Sequence, residues 1–258
     1  MWDKLSDIGS MGVLSVIVLI NKRFLLGILL VFCCVTGLAA VLFAGLHPAS
    51  VPAFAAQSEK AVTVVIDPGH GGEDGGAVSP DGVMESRINL AVSQRLSDLL
   101  RFAGQRTLLT RTEDVSIHTE GDTMRARKVS DIHHRVDIVN STGGAVLLSI
   151  HQNSLPSSRV THGAQVFWNT GEGAEALAGV VQDALNTAVN AGNEKLPRKI
   201  PATIYLMNHV TAPAILVECG FLSNSSETVK LQEPSYQLKL AAAIATGYLR
   251  CLAGEEVP

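Results

Sequence analysis

The sequence predicts an α/β protein with a single layered domain, in which helices flank a central, mostly parallel sheet, preceded by an N-terminal transmembrane helix. Three observations support this prediction. Short continuous apolar segments alternate with longer segments of helical periodicity, which is typical of strands buried on both faces. Ionisable side chains follow or end several of the apolar segments, where such sheets bind ligands. A long uncharged apolar run precedes the alternation.

That apolar run predicts a membrane span. Residues 24–46 form 23 uncharged positions in a row, and a helix of about 20 residues crosses the hydrocarbon core of a bilayer. Lys22 and Arg23 stand directly before the run. By the positive-inside rule they hold residues 1–23 in the cytoplasm, so everything after the span is expected to be extracytoplasmic.

A cleaved signal peptide is the alternative. Residues 53–55 read Ala-Phe-Ala, a pattern that suits cleavage after Ala55 and would release a secreted protein. The apolar run is longer than a usual signal sequence, which favours a retained anchor. The remaining chain is then divided into a linker rich in Ala, Pro and Ser at 47–60, a domain at 61–253 and a tail at 254–258.

The first half of the predicted domain alternates strand and helix. VTVVI at 62–66 is rich in β-branched residues and predicts the first strand, and apolar residues at helical spacing predict a helix over 85–104. TLLT at 107–110 predicts a second strand. A second helix over 129–141 leads into AVLLSI at 145–150, a continuous apolar run that predicts a buried third strand.

The second half continues the pattern. GAQVFW at 163–168, TIYLM at 203–207 and AILVE at 214–218 are predicted strands. Helical periodicity predicts long helices over 172–191 and 235–252. This alternation predicts that most strands pair in parallel.

The composition excludes two classes of protein. The net charge is −4 with 17% charged residues, and no tract rich in Lys and Arg follows the span, so nucleic acid is not an expected partner. Only Cys219 and Cys251 lie beyond the span, which is too few for a scaffold held by disulfides. A hydrophobic core must therefore stabilise the domain.

Three residues at the boundaries of predicted elements suggest a metal site. His70 lies in the glycine-rich turn after the first strand, Glu85 begins the first helix, and His151 follows the third strand. Each has a structural interpretation by itself, as a turn, capping or strand-end residue. If the strands are neighbours, however, these side chains meet at one sheet edge, and two histidines with one glutamate are the ligands of a catalytic zinc.

Other polar residues surround this candidate site. Glu218 ends an apolar strand, so its carboxylate either faces an open cleft or has an ion-pair partner, and beside a metal it can transfer protons. Asp67 and Asn153 are candidate hydrogen-bond partners of the histidines, because a ligating histidine usually donates its second N–H to a carboxylate or carbonyl. A turn or cap role explains these two residues equally well.

The motifs, in this order, resemble the zinc-dependent N-acetylmuramoyl-L-alanine amidases of the amidase-3 family. The resemblance covers nearly all of residues 62–252. It implies zinc on the two histidines and Glu85, catalysis by Glu218, and hydrolysis of the amide that joins muramic acid to L-alanine of the peptidoglycan stem peptide. The matching segments are VVIDPGHGG at 64–72, GVME at 82–85, LTR at 109–111, Arg135 as a further cleft candidate, SIHQN at 149–153 and PAILVECGFLSN at 213–224.

A narrower resemblance concerns the spore-cortex amidases of the muramic δ-lactam pathway. It depends on KVSD at 128–131 and on the membrane-anchored, single-domain layout. It implies a single-pass protein of the bacterial cell membrane with its domain on the cortex side. Targeting would then depend on residues 24–46 or on an activating or targeting protein partner. Two departures from the family pattern, Ser154 and Lys199 where alanine and glycine are usual, affect the substrate subsites.

Two other functions remain open. A wall-binding protein could keep the fold and the zinc without turnover, although it would be expected to lack the acid at position 218, which is present. A zinc peptidase acting on other peptides would not require the muramyl group. A phosphate-binding loop is disfavoured, because DPGHGGEDGGA lacks the Gly-Lys-Ser/Thr ending of a P-loop.

Overall fold

The computed structural model describes residues 62–255 and Thr36. Residues 62–255 lie within one compact unit, Ser58–Pro258, and form a six-stranded sheet with helices on both faces. The predicted α/β layered domain is thereby confirmed. The predicted cytoplasmic segment, membrane span and linker lie outside the described residues, except for Thr36. Within the described part of the chain, no helix is long and apolar enough to cross a bilayer.

The elements follow the order that the sequence predicts, with three differences. A two-residue strand at 198–199 and a helix at 225–232 are additional, and a helix replaces the strand predicted at 203–207. The strands are β1 (Thr63–Pro68), β2 (Arg106–Leu109), β3 (Ala145–Asn153), β4 (Gln165–Trp168), β5 (Arg198–Lys199) and β6 (Ala214–Phe221). The helices are α1 (Glu85–Phe102), α2 (Met124–Ser141), α3 (Ala174–Ala188), α4 (Tyr205–His209), α5 (Ser225–Gln232) and α6 (Pro234–Leu252).

The sheet is mixed, with most of its strand pairs parallel. Its strand order is β2-β1-β3-β6-β4-β5. All neighbouring strands pair in parallel except β4 and β6, which are antiparallel. The parallel strands β1, β3 and β6 are adjacent, so their carboxyl ends meet at one edge.

Alternating side chains of these strands form two cores. In β1, Val64 and Ile66 pack in the larger core with α1, α3 and α6. Val65 points to the other face and packs in the smaller core with α2 and α4. The same alternation places Leu216 of β6 on the α2 and α4 face, so Glu218, two residues later, lies on that face as well.

The predicted strand at 203–207 is wrong, because this segment forms the short helix α4. Its neighbouring residues Leu206 and Met207 are both buried and pack in the same core against the sheet. In a strand, consecutive side chains would point to opposite faces. A five-residue apolar run does not distinguish a strand from a buried helical turn by periodicity, which explains the error.

Several element boundaries differ from the prediction by a few residues, and three of these differences matter for the site. Strands β3 and β6 continue beyond their predicted ends, so His151 lies inside a strand rather than after it, and Glu218 lies inside a strand rather than at its end. Helix α2 begins earlier than predicted because the Thr123 side chain caps it, accepting a hydrogen bond from the backbone N–H of Ala126 at 3.1 Å. The longer helix includes Lys128, which reaches the loop of the first histidine.

Candidate metal centre

Backbone geometry brings the two predicted imidazoles together. His70 adopts a φ of +61°, in the left-handed region that non-glycine residues rarely enter, and such strain is concentrated at functional sites. The preceding residue, Gly69, has no Cβ, and a Cβ there would lie 2.2 Å from the ring of His151. The two rings therefore approach edge to face, with their centroids 5.1 Å apart.

Glu85 lies between the two histidines. Its Oε1 is 2.9 Å from Nδ1 of His151 and accepts the backbone N–H of Gln152 at 3.1 Å. Its Oε2 is 3.5 Å from Nε2 of His70 and accepts the backbone N–H of Ala77 at 2.8 Å. Burial alone would raise the pKa of Glu85, but the hydrogen bond and charge of His151 lower it to about 2. The carboxylate is therefore ionised.

These three side chains fit a metal ion. One donor atom from each of His70, Glu85 and His151 can be chosen so that all lie within 4.8 Å of one another. A tetrahedral zinc ion with ligand bonds of 2.0–2.1 Å holds its ligand atoms about 3.4 Å apart, so small side-chain shifts suffice. Two imidazoles and one carboxylate are also a ligand set that zinc uses in catalytic sites.

Asp74 fixes the orientation of the first histidine. Its Oδ2 lies 2.8 Å from Nδ1 of His70, and its Oδ1 pairs with Nζ of Lys128 at 2.7 Å. Burial would raise the pKa of Asp74, but hydrogen bonds from His70 and Lys128 hold it well below its usual range. Asp74 was not among the predicted site residues. The sequence did contain one signal for it, because Asp74 is an acid four residues after a candidate ligand in the same glycine-rich loop.

We expect Asp74→Asn to weaken zinc binding by about 10- to 100-fold. Asparagine keeps a hydrogen-bond acceptor but removes the negative charge that favours a proton on Nδ1 of His70, leaving Nε2 free to bind metal. Competition with a calibrated chelator measures this change. Asp98→Asn is the matched control, because Asp98 is an exposed acid on α1. Equal zinc affinity in the parent and in Asp74→Asn would contradict the orienting role.

The predicted partner Asp67 occupies a different position. Its carboxylate accepts hydrogen bonds from Arg135 Nη1 at 2.6 Å, Thr110 Oγ1 at 2.7 Å and Ser149 Oγ at 2.9 Å. Asp67 and Arg135 are 1% exposed, and both border the cleft. The ring nitrogens of the histidines instead pair with Asp74 and Glu85, and Asn153 borders the cleft at the end of β3.

Arg135 connects this buried acid to the histidine loop. Its guanidinium donates to the carbonyl oxygens of Pro68 at 2.9 Å and His70 at 2.8 Å. Its Nε also donates to Asp131 at 2.5 Å. Burial would lower the pKa of Arg135, but the charges of Asp67 and Asp131 raise it above its usual range. Arg135 therefore stays charged and holds the backbone on which His70 is mounted.

We expect Asp67→Asn to lower the free energy of unfolding by at least about 2 kcal/mol at pH 7. Burial would raise the pKa of Asp67, but Arg135 and Thr110 lower it from 3.8 to about 2. A lowered folded-state pKa stabilises the protein above the unfolded-state value, and this stabilisation is lost as the pH falls from about 4 to about 2.

Urea unfolding at pH 7 and at pH 3 tests this expectation. The difference in stability between the parent and Asp67→Asn should shrink at the lower pH. Asp137→Asn, an exposed acid on α2, is the control and should change little at either pH. A difference that is the same at both pH values would show that Asp67 does not stabilise the fold through its charge.

Glu218 faces the same cluster from the neighbouring strand. Its Cα is the register partner of His151 in the parallel pair of β3 and β6. Its Oε2 is buried and has no hydrogen-bond partner among the described residues. Burial raises the pKa of Glu218 to about 7; the charge of His151 opposes this rise and Glu85 adds to it. Such a carboxyl group can accept and release a proton near neutral pH.

A cleft opens beside these residues on the face of α2 and α4. It has a volume of about 390 Å³ and contains the predicted ligands and Glu218. One wall comes from α2, and the other comes from α4 and the residues before it. The wall residues are Lys128, Asp131, Ile132 and Arg135 on one side, and Thr203, Ile204, Tyr205 and Leu206 on the other.

Comparisons with known proteins agree on one family. The pattern of the N-acetylmuramoyl-L-alanine amidase family, amidase-3, matches residues 64–250. A germination-specific N-acetylmuramoyl-L-alanine amidase of Bacillus subtilis is 37% identical over 188 residues, which are 72% of this chain and 78% of the relative. The amidase LytC of the same organism is 30% identical over 72% of this chain and 34% of its own length.

A solved structure shares the fold. The CwlD amidase from Clostridioides difficile, solved in complex with the GerS lipoprotein, superposes with a TM-score of 0.71 at 32% identity. The match covers 75% of this chain and all of that one. The described domain therefore has the fold of that amidase.

Proposed function

Because the chain belongs to the amidase-3 family of N-acetylmuramoyl-L-alanine amidases, we propose that its cleft hydrolyses the amide between N-acetylmuramic acid and L-alanine of the peptidoglycan stem peptide. The observation that carries this proposal is the convergence of the three candidate ligands with Glu218 at one sheet edge. The open cleft beside them gives a polymeric substrate access from outside the domain.

Zinc is the proposed cofactor, held by His70, Glu85 and His151. When bound, zinc supplies Lewis-acid chemistry, which polarises a carbonyl and lowers the pKa of water to about 7. The chain prepares this site in two ways. Glu85 is already ionised, with a pKa of about 2, and Asp74 holds the ring of His70 through Nδ1. Ligating groups must be deprotonated, so the ionised carboxylate of Glu85 favours metal binding, and Asp74 favours it by fixing the orientation of the His70 ring.

Glu218 is the proposed proton-transfer residue. Its carboxylate accepts a proton from the attacking water as the new C–O bond forms at the scissile carbonyl. It then delivers that proton to the nitrogen of L-alanine as the C–N bond breaks. The products are a free lactyl carboxylate on the glycan and a peptide with a free amino terminus. The buried, unpartnered Oε2 is the atom placed for this transfer.

Digestion of purified peptidoglycan tests the proposed reaction. The full-length protein with added zinc is expected to release peptides whose L-alanine amino terminus is newly free, as detected by mass spectrometry. The absence of such termini with zinc present would favour a wall-binding protein instead. Equal cleavage of the same peptides without their muramyl group would indicate a general zinc peptidase.

We further propose that the substrate is the spore cortex and that a protein partner assists the enzyme. The Bacillus subtilis relative is named germination-specific, and the Clostridioides difficile amidase was solved with a lipoprotein. Mass spectrometry of cortex muropeptides from cells that lack this protein tests the cortex role. Loss of muramic δ-lactam is expected, whereas an unchanged cortex with an altered vegetative wall would contradict it.

Residues 24–46 are proposed to anchor the protein in the cell membrane, with its catalytic domain outside. The support is the uncharged 23-residue run preceded by Lys22 and Arg23. Cell fractionation with detection of the C-terminal domain tests this proposal. The domain should sediment with membranes, and a secreted protein that begins at Ala56 would contradict retention.

A further inference from the structure

A second, smaller cavity adjoins the cleft. Its volume is about 190 Å³, and Ser154 lines both cavities. The other residues that line it come from three loops. They are Val78 and Pro80, Pro156 and Arg159, and Ser223.

Each of these loops is directly connected to a candidate catalytic residue. The first loop precedes Glu85, the second follows the strand of His151, and the third follows the strand of Glu218. The helices next to the first and third loops, α1 and α5, pack in the core on the opposite face of the sheet from α2 and α4. We refer to the two cavities, which share Ser154, as one groove with two arms: the cleft beside α2 and α4, which contains the candidate metal ligands, and the second cavity between the three loops.

The charges along this groove differ between its arms. In the cleft, Lys128 is paired with Asp74, and Arg135 is paired with Asp67 and Asp131. In the second cavity, Arg159 is exposed, and residues 62–255 give its guanidinium neither an ion pair nor a hydrogen bond. No acidic residue lines this cavity. The second arm therefore offers a cation to an anionic ligand, together with the hydroxyl group of Ser154.

The two halves of the substrate also differ in charge: the glycan is neutral, whereas the stem peptide is acidic. In the intact substrate, the lactyl carboxyl group of muramic acid forms the amide bond and carries no charge. The N-acetylated sugars are also neutral. The stem peptide carries the free carboxylates. An arginine binds a carboxylate through paired N–H donors, which makes it a recognition residue for such a peptide.

We propose that Arg159 and Ser154 bind a carboxylate of the stem peptide, which places the peptide in the second cavity and leaves the glycan to the cleft between α2 and α4. This inference rests on the proposed amidase function. Val78, Pro80 and Pro156 give the cavity an apolar wall against which the aliphatic part of the peptide packs.

Kinetics on two matched substrates test the assignment. Both are muramyl peptides, one with a free carboxylate on the second peptide residue and one with a carboxamide there. With the acidic substrate, Arg159→Gln is expected to raise KM about 10-fold with kcat near the parent value, since hydrogen bonds to charged groups are the stronger ones. With the carboxamide substrate, the same variant should differ from the parent by less than about 2-fold.

Two further variants serve as controls. Arg159→Lys keeps the charge and should recover part of the KM lost in Arg159→Gln. Arg125→Gln removes another exposed arginine, which lines a separate cavity beside α2, and should leave both substrates unaffected. An unchanged KM for Arg159→Gln, or an equal rise on both substrates, would overturn the inference.

A result against the proposed amidase function can be distinguished from a result against the Arg159 site. In that case the parent protein would release no peptide from either substrate. Calorimetric binding of a free L-alanyl peptide with an acidic second residue would then decide the question for Arg159. Weaker binding to Arg159→Gln than to the parent would support the carboxylate site, and equal binding or no binding to either protein would overturn it.

Discussion

Glu218→Gln is expected to lower kcat by roughly 10² to 10⁴ while zinc stays bound. Glutamine keeps the size of the side chain but cannot take a proton from water and pass it to the leaving nitrogen. Glu218 lies beside the candidate ligands rather than among them, because the metal cluster consists of His70, Glu85 and His151. Peptide release from peptidoglycan and zinc content, both measured on the same preparation, check the two parts of the prediction.

Glu227→Gln is an informative contrast for this variant. Glu227 is also a buried acid, but its oxygens accept backbone N–H groups of Gly163 at 2.7 Å and Phe221 at 2.8 Å. Its replacement should lower stability, because one carboxylate oxygen becomes an amide donor facing a backbone N–H. Glu218 has no such structural partner on Oε2. Near-parent turnover by Glu218→Gln would refute its role in proton transfer.

His151→Ala is expected to abolish stoichiometric zinc binding and to reduce activity to background. The substitution removes one of three ligands and also removes one of the hydrogen-bond partners of Glu85 Oε1, the one at 2.9 Å. The loss of zinc affinity should exceed the loss caused by Asp74→Asn, because Asp74 acts only through His70. Zinc content after dialysis, followed by digestion of peptidoglycan, measures both effects.

The control for this variant is His162→Ala. His162 is an exposed residue that does not border the cleft, and its Nδ1 pairs with the nearby carbonyl oxygen of Val160 at 2.9 Å. Its removal should leave zinc content and turnover near the parent values. A His151→Ala protein that kept one zinc per chain and full turnover would show that the cation lies elsewhere.

Much of the fold could be predicted because apolar periodicity determines which faces of a segment are buried. The run from Val64 to Ile66 and the run AILV at 214–217 both form central strands, as predicted. Segment 203–207 was mispredicted because its apolar residues are equally compatible with a helical turn. Strand β5 has only two residues, too few to show any periodicity.

The ligand cluster could be predicted, but its supporting residues could not. Parallel strands bring their carboxyl ends to one edge, so His70 and His151 were expected to meet. Which acid would orient His70 depends on how the glycine-rich loop folds back, and the sequence does not specify that path. In the structure, Gly71 and Asp74 exchange backbone hydrogen bonds of 2.9 and 3.1 Å, which turns Asp74 toward the ring.

The contacts of Asp67 could not be predicted from the sequence pattern either. It precedes His70 by only three positions, but strand alternation points its side chain at α2, where Arg135 meets it at 2.6 Å. Arg135 is distant in sequence, and helical periodicity does not predict a fully buried arginine, because this residue type is mostly exposed. The resemblance to the amidase family was the only signal that selected it.

Anomalous diffraction at the zinc absorption edge, from crystals of the protein grown with zinc, shows whether the two histidines and Glu85 share one cation. One peak is expected about 2.0–2.2 Å from a nitrogen of His70, an oxygen of Glu85 and a nitrogen of His151, with Glu218 beside it but not bound. A peak at a different set of residues, or no peak at these three in a zinc-replete crystal, would contradict this expectation.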